Sequence, residues 1–233
     1  MKKTTRAARF TKKIDSEVLE FSESLTVDIV LFEADLKVTM AHVQMLAKCK
    51  LITKKELETI VSGLKKIKEA VNKDKFPWSY ELEDVHMNIE SQLTKIVGNV
   101  GKKIHMGRSR NDLVTTDLRI YLRDFIDVFL IKLRDLQYAL SKMAIIYSDS
   151  LFPGYTHLQV AQPVTFGHHL LAWNEMMHRD EKRLLDVRKH LNTMPLGSAA
   201  LSGTSYKIDR KMVAKKLGFD EITSNSMDAV SDR

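Results

Sequence analysis

Three short polar segments of this chain carry residue types that could do chemistry. Residues 107–112 read Gly-Arg-Ser-Arg-Asn-Asp. Arg108 and Arg110 supply guanidiniums, Ser109 a hydroxyl and Asn111 an amide. With the free N–H groups of a helix start, they would make a carboxylate cradle. Plain capping of the helix by Ser109, Asn111 or Asp112 accounts for the same residues equally well. Residues 153–159 read Pro-Gly-Tyr-Thr-His-Leu-Gln. A histidine beside a threonine in a tight turn, here His157 and Thr156, can place a proton near neutral pH. A purely structural turn histidine is the alternative. The third segment is Glu83-Asp84-Val85-His86, ahead of Glu90. A His with Glu at i+4 reads first as a surface pair.

Other chemistries find little support. His168, His169, His178 and Asp180 invite a metal reading, but adjacent histidines diverge by about 100° on a helix. No carboxylate joins them at i+4, so no metal is expected. There is no glycine-rich phosphate loop, and no cofactor is expected. Cys49, the only cysteine, lies in an amphipathic pattern and reads as packing. A single cysteine permits no intrachain disulfide and fits a reducing cytoplasm. The first 13 residues carry six Lys or Arg and no acid. Without an apolar stretch they are no secretory signal; without interleaved aromatics they read as a solvated tail rather than a nucleic-acid arm. No apolar run approaches the ~20 residues that span a bilayer.

Long helices must position these segments. Nine glycines and four prolines in 233 residues disfavour a turn-rich sheet. Residues 15–73 read as helix, with apolar steps of three and four, and Thr53 with Glu56 makes a capping box. A helix from there ends near Val71, Phe76-Pro77-Trp78 breaks the pattern, a shorter helix covers 82–97, and 98–107 reads as loop. Residues 111–152 hold no Gly and no Pro. Leu118, Leu122, Phe125, Phe129, Leu133, Leu136, Leu140, Met143 and Tyr147 form a heptad-like seam. Some 40 helical residues span about 60 Å, too long for one compact domain of this size. A second long helix is expected with Pro163 at its first position and Pro195 just past its end. A short turn over 152–162 would join the two as an antiparallel hairpin. Their apolar stripes need partners that these residues do not supply, hence a bundle completed by further chain or further subunits. The expected class is all-α, with an N-terminal helical domain over 1–106 and an incomplete long-helix bundle over 107–233.

Taken together, these segments resemble the argininosuccinate lyase family of the fumarase/aspartase superfamily. Residues 107–112 with Thr116-Asp117-Leu118-Arg119, residues 152–159 with Ala161-Gln162-Pro163, residues 195–201 (Pro-Leu-Gly-Ser-Ala-Ala-Leu) and Asn225-Ser226-Met227-Asp228-Ala229 carry the likeness. It implies an N-terminal domain leading into the first long helices of a superfamily-type bundle. It also implies cleavage of argininosuccinate to arginine and fumarate in arginine biosynthesis, by a cytoplasmic homotetramer whose sites are shared between subunits. By the same likeness Ser24, Asn111 and Thr156 would bind substrate, with Ser109 and Arg110 at its carboxylates. His86 would line the cleft, and His157 would act in acid/base or orienting work. The chain departs from the family at Arg6-Ala7-Ala8-Arg9-Phe10, at Met87 and at Leu113. The Gly-Ser-Ser-x-Met-Pro loop that bears the family's base does not occur in these residues, so the chain alone is expected to be inactive. The rival reading is a non-catalytic helical protein built on the same scaffold.

Overall fold

The computed structural model describes residues 15–233; the basic first 13 residues and the departure at residues 6–10 lie outside them. In chain order the elements are α1 (Ser16–Ser22), α2 (Leu25–Asp28), α3 (Phe32–Lys48), α4 (Lys54–Asn72), α5 (Val85–Val97), α6 (Arg110–Ile146), β1 (Leu151–Thr156), β2 (Gln159–Thr165), α7 (Phe166–His190), β3 (Thr193–Met194), α8 (Arg210–Leu217), β4 (Glu221–Ile222) and α9 (Ser226–Ser231). The class is all-α, as the scarcity of breakers implied. Two compact units form: residues 15–118 with Met194–Arg233, and Arg119–Thr193.

In the first unit α3 is the central element. Val38, Val43 and Leu46 are fully buried, and Ile60 and Ile67 of α4 and Leu93 of α5 close over the same core. Burial runs around most of α3 and takes in Asp35, Thr39 and His42. α4 starts where the sequence said it should. The Glu56 N–H donates to Thr53 Oγ1 at 3.2 Å, and the Thr53 N–H donates to Glu56 Oε2 at 2.9 Å. Gly63 lets α5 lie close, since a Cβ there would meet Leu93 at 2.6 Å and Val97 at 2.7 Å. Two expectations are corrected. The stretch from 15 to 48 is not one continuous helix, because residues 23–24 and a 3-10 turn at Ile29–Leu31 interrupt it. The expected loop at 98–107 is mostly a 3-10 helix, Gly98–His105. Gly98 ends α5 at φ 72°, and i→i+3 bonding then satisfies the local backbone. Cys49 caps the end of α3, half-buried, with Sγ 3.7 Å from Met45 Sδ, in keeping with a packing role.

In the second unit α6 and α7 run antiparallel in strict register. Arg123 donates to Asn192 at 2.6 Å, Arg188 to Asp127 at 3.0 Å, Arg134 to Glu181 at 2.8 Å and Asn174 to Ser141 at 3.4 Å. In every pair the two residue numbers share one sum, and the last three pairs are spaced one heptad apart. The seam that faces α7 is Ile126, Leu130, Leu133 and Ala144, all buried. It lies one step round the helix from the seam read in the sequence. Of that seam only Leu133 is buried, while Phe125, Phe129, Leu136 and Met143 are exposed. The helix carries two apolar stripes, and the internal partner uses the one with the smaller side chains.

The connection between α6 and α7 also differs from expectation. It is an antiparallel β-ribbon, with Leu151 opposite Thr165 and Thr156 opposite Gln159. Pro163 therefore sits in β2 opposite Pro153 rather than at a helix start. A two-stranded ribbon tolerates proline because its outer N–H positions need no partner. Thr165 caps α7 instead, accepting from the His168 N–H at 3.1 Å. Among the described residues no helix is long and apolar enough to cross a membrane.

Candidate active site

The first unit gathers five of the residues singled out by sequence. Ser24 lies just before α2, and its N–H donates to the Glu83 carbonyl at 2.8 Å. Its hydroxyl donates to Asp28 Oδ2 at 2.6 Å. Asp28 Oδ1 in turn accepts from the Val85 N–H at 3.1 Å, at the start of α5. Asp84 caps α5, accepting from the Met87 N–H at 2.7 Å, and its other oxygen accepts from the Arg110 guanidinium. Ser24, residues 83–86 and Arg110 are thus one bonded assembly.

His86 is buried rather than on the surface, and its partner is not Glu90. Its Nδ1 lies 2.5 Å from Asp35 Oδ2 and 3.5 Å from Asp117 Oδ2. Glu90 pairs with His105 at 3.1 Å instead. Thr39 donates to Asp35 at 2.7 Å and accepts from Arg108 at 3.0 Å. Burial pushes the Asp35 carboxyl up, but the hydrogen bond and charge of His86, with Arg108 and Thr39, more than reverse this and hold it low. Burial and the Asp35 charge push Asp117 well above its ordinary range. Burial and Arg108 depress His42 to about 3. Asp35, His86 and Asp117 each bring a ligand atom within 4.8 Å of the others, the spacing of a metal site. Arg108 brings positive charge to both carboxylates, while both Asp117 oxygens and His86 Nε2 are buried without a hydrogen-bond partner.

The expected cradle at 107–112 divides between two tasks. Arg108 turns inward to Thr39 and Arg110 is held by Asp84, so both guanidiniums have internal partners. Ser109 takes the cap position of α6. The Leu113 N–H donates to its carbonyl, and its own N–H donates to Asp112 Oδ1 at 2.8 Å. Asn111 is exposed, and its amide donates to the Ala200 carbonyl at 3.0 Å. The 195–200 loop, noted in the sequence only as part of a resemblance, is therefore built into this site. Arg210 holds its far side, donating to the Leu196 carbonyl at 2.8 Å and to Thr223 Oγ1 at 2.9 Å.

Thr156 and His157 belong to the second unit, at the tip of the β1–β2 ribbon. His157 and Leu158 are the two central turn residues, at φ 49° and 61°. Positive φ at both positions is the geometry that matches ribbon twist, but it is strained for residues with a Cβ. Both residues of the pair, and Thr156, are exposed.

Sequence reasoning missed Asp28, Asp35, Arg108 as an inward group, Asp117 and Arg210. Asp35 and Asp117 had a faint signal, since each is an acid within an apolar helical pattern. Nothing in the local sequence shows that they face the same histidine.

The family model described as "Lyase" matches residues 8–233, and the chain belongs to that family. Argininosuccinate lyase from Alkalilimnicola ehrlichii is 53 % identical over 97 % of this chain, and that from Pseudomonas syringae pv. tomato is likewise 53 % identical. The chain spans about half the length of these relatives, 48 % in each case. Among solved structures, EDDS lyase in complex with formate is 30 % identical, with a TM-score of 0.81 over 92 % of this chain and 42 % of its own. A fumarate lyase from Mesorhizobium sp. BNC1, at 20 % identity and TM-score 0.71, shares the fold.

Proposed function

We propose that this chain is the N-terminal half of an argininosuccinate lyase, which cleaves argininosuccinate to arginine and fumarate by elimination. The observation that carries this reading is the bonded assembly of Ser24, residues 83–86 and residues 108–112 in one unit, in a chain half identical to enzymes of that name. Removing a proton alpha to a carboxylate builds up negative charge. Positioned hydroxyl, amide and guanidinium groups then stabilise it more than they stabilise the substrate. In this reading Ser24, Ser109, Arg110 and Asn111 bind substrate, Thr156 contacts it, and His157 handles a proton or orients the group that does. His86, buried on Asp35, supports the cleft from beneath. No cofactor is required, since the leaving group is a guanidinium nitrogen and the electrons come from the C–H bond.

The same reading makes the protein a cytoplasmic enzyme of arginine biosynthesis and, with its remaining sequence, a homotetramer. Residues 1–106 would form its N-terminal domain, and residues 107–233 would open its central bundle. The 233 residues contain no Gly-Ser-Ser-x-Met-Pro loop, so by themselves they are expected to bind ligand without turning it over. Titration calorimetry with argininosuccinate tests this. Binding that weakens about tenfold in Asn111→Ala and in Ser24→Ala, roughly 1.4 kcal/mol each, supports the reading. Equal affinity in wild type and both variants would sink it.

A further inference from the structure

We propose that Asp112 is a positioning residue: its buried carboxylate locks the 197–200 loop onto the mouth of α6 and so fixes the Asn111 amide in the site. Asp112 is fully buried at the third position of α6. Its Oδ1 accepts from the Ser109 N–H at 2.8 Å. Its Oδ2 accepts from two backbone N–H groups far along the chain, Gly197 at 2.8 Å and Ala199 at 2.7 Å. N–H groups at alternate residues that converge on one oxygen make an anion-binding backbone nest, and here the anion is internal.

The loop is shaped for that purpose. Gly197 and Ala199 both have positive φ, 90° and 54°. A Cβ on Gly197 would meet the Arg210 side chain at 2.8 Å, so glycine is required there. Arg210 binds the loop through its carbonyls and Asp112 through its N–H groups. The loop is thereby gripped from both sides, and its next carbonyl, Ala200, receives the Asn111 Nδ2. Asn111 is left with Oδ1 and one N–H to offer a ligand. Only an acceptor-only group with two oxygens suits three converging donors. In Asp112→Asn the amide N–H₂ would face either Ser109 or the nest, and one of the two must open.

That Asn111 meets substrate rests on the lyase reading; the clamp itself does not. The test is amide exchange by NMR on the 233-residue chain, combined with argininosuccinate titration. In wild type the Gly197 and Ala199 amides are expected to exchange at least 100-fold slower than free peptide. In Asp112→Asn that protection and the distinct signals of the Asn111 side-chain amide should be lost together, with the α4 and α5 amides unchanged. The double variant Asn111→Ala with Asp112→Asn should bind argininosuccinate no more weakly than Asn111→Ala alone, because Asp112 acts through Asn111. Losses that add would make Asp112 merely structural and overturn the proposal. Unprotected Gly197 and Ala199 amides in wild type would overturn it without any variant. Protected amides that respond as described, in a chain that does not bind argininosuccinate, would support the clamp and refute the lyase reading.

Discussion

Taken out of water, a carboxylate must find donors or keep its proton, and the buried acids of the first unit do both. Asp35 has a histidine and a threonine and stays ionised. Asp117 has no hydrogen bond to either oxygen, and burial with the Asp35 charge pushes its carboxyl well above the ordinary range. Between the ordinary Asp value and that raised value the folded state binds more protons than the unfolded one, so stability falls as pH rises through that window. Asp117→Asn is therefore expected to raise the unfolding midpoint more at pH 8 than at pH 5, as calorimetry would show. His42 has the opposite sign. Its folded pKa of about 3 lies below the ordinary histidine value of 6.5, so the unfolded state takes up protons first, and stability is lost as pH falls from 6.5 towards 3. His42→Gln keeps a donor for the Met106 carbonyl, which now bonds His42 Nε2 at 2.8 Å. It should flatten acid unfolding across that window, measured by circular dichroism. Ala199 sits at φ 54°, where a Cβ is strained by about 1 kcal/mol. Ala199→Gly should stabilise the fold by up to that amount, read as a higher urea midpoint; a lower midpoint would mean that the loop does not hold this geometry.

At the scale of elements, the α6–α7 junction depends on one close approach. A Cβ on Gly167 would lie 2.4 Å from the Ala144 carbonyl oxygen and 3.1 Å from the Tyr147 carbonyl oxygen. These are backbone atoms that cannot step aside. Gly167→Ala is expected to cost about 1–3 kcal/mol, read as a lower thermal midpoint with helix content retained. The helical class and the capping of α4 were legible because periodicity and capping are local. The capping box at Thr53 formed as read, and α4 ends one residue past the expected Val71. The choice between two apolar stripes on α6 was not legible. Phe125 and Ile126 are neighbours in sequence, both apolar, and only the residues of α7 decide which faces inward. The ribbon at 151–165 was hidden for a related reason: it has no alternating apolar pattern, and its strands are made by pairing. In the candidate site, His86 and residues 109–111 could be singled out from local polar segments, and Ser24 only through the resemblance. Their links through Asp28, Asp35 and Asp112 could not, because those bonds join residues up to 87 positions apart.

Over the whole molecule, the second unit leaves a broad apolar surface in water. Phe125 is 54 % exposed, Trp173 52 % and Leu136 47 %. Large apolar side chains left in water favour association. Concentration-dependent assembly in sedimentation velocity is the expected behaviour, and a clean monomer across concentrations would contradict it. The most direct test of the whole account is fumarate release from argininosuccinate, measured with the 233 residues alone and then with the C-terminal half of the Alkalilimnicola ehrlichii relative added. No fumarate is expected from the chain alone, and release is expected once the second half is present. Fumarate from the chain alone would place the base within these residues, make His157 the first residue to replace, and contradict the division of labour argued above.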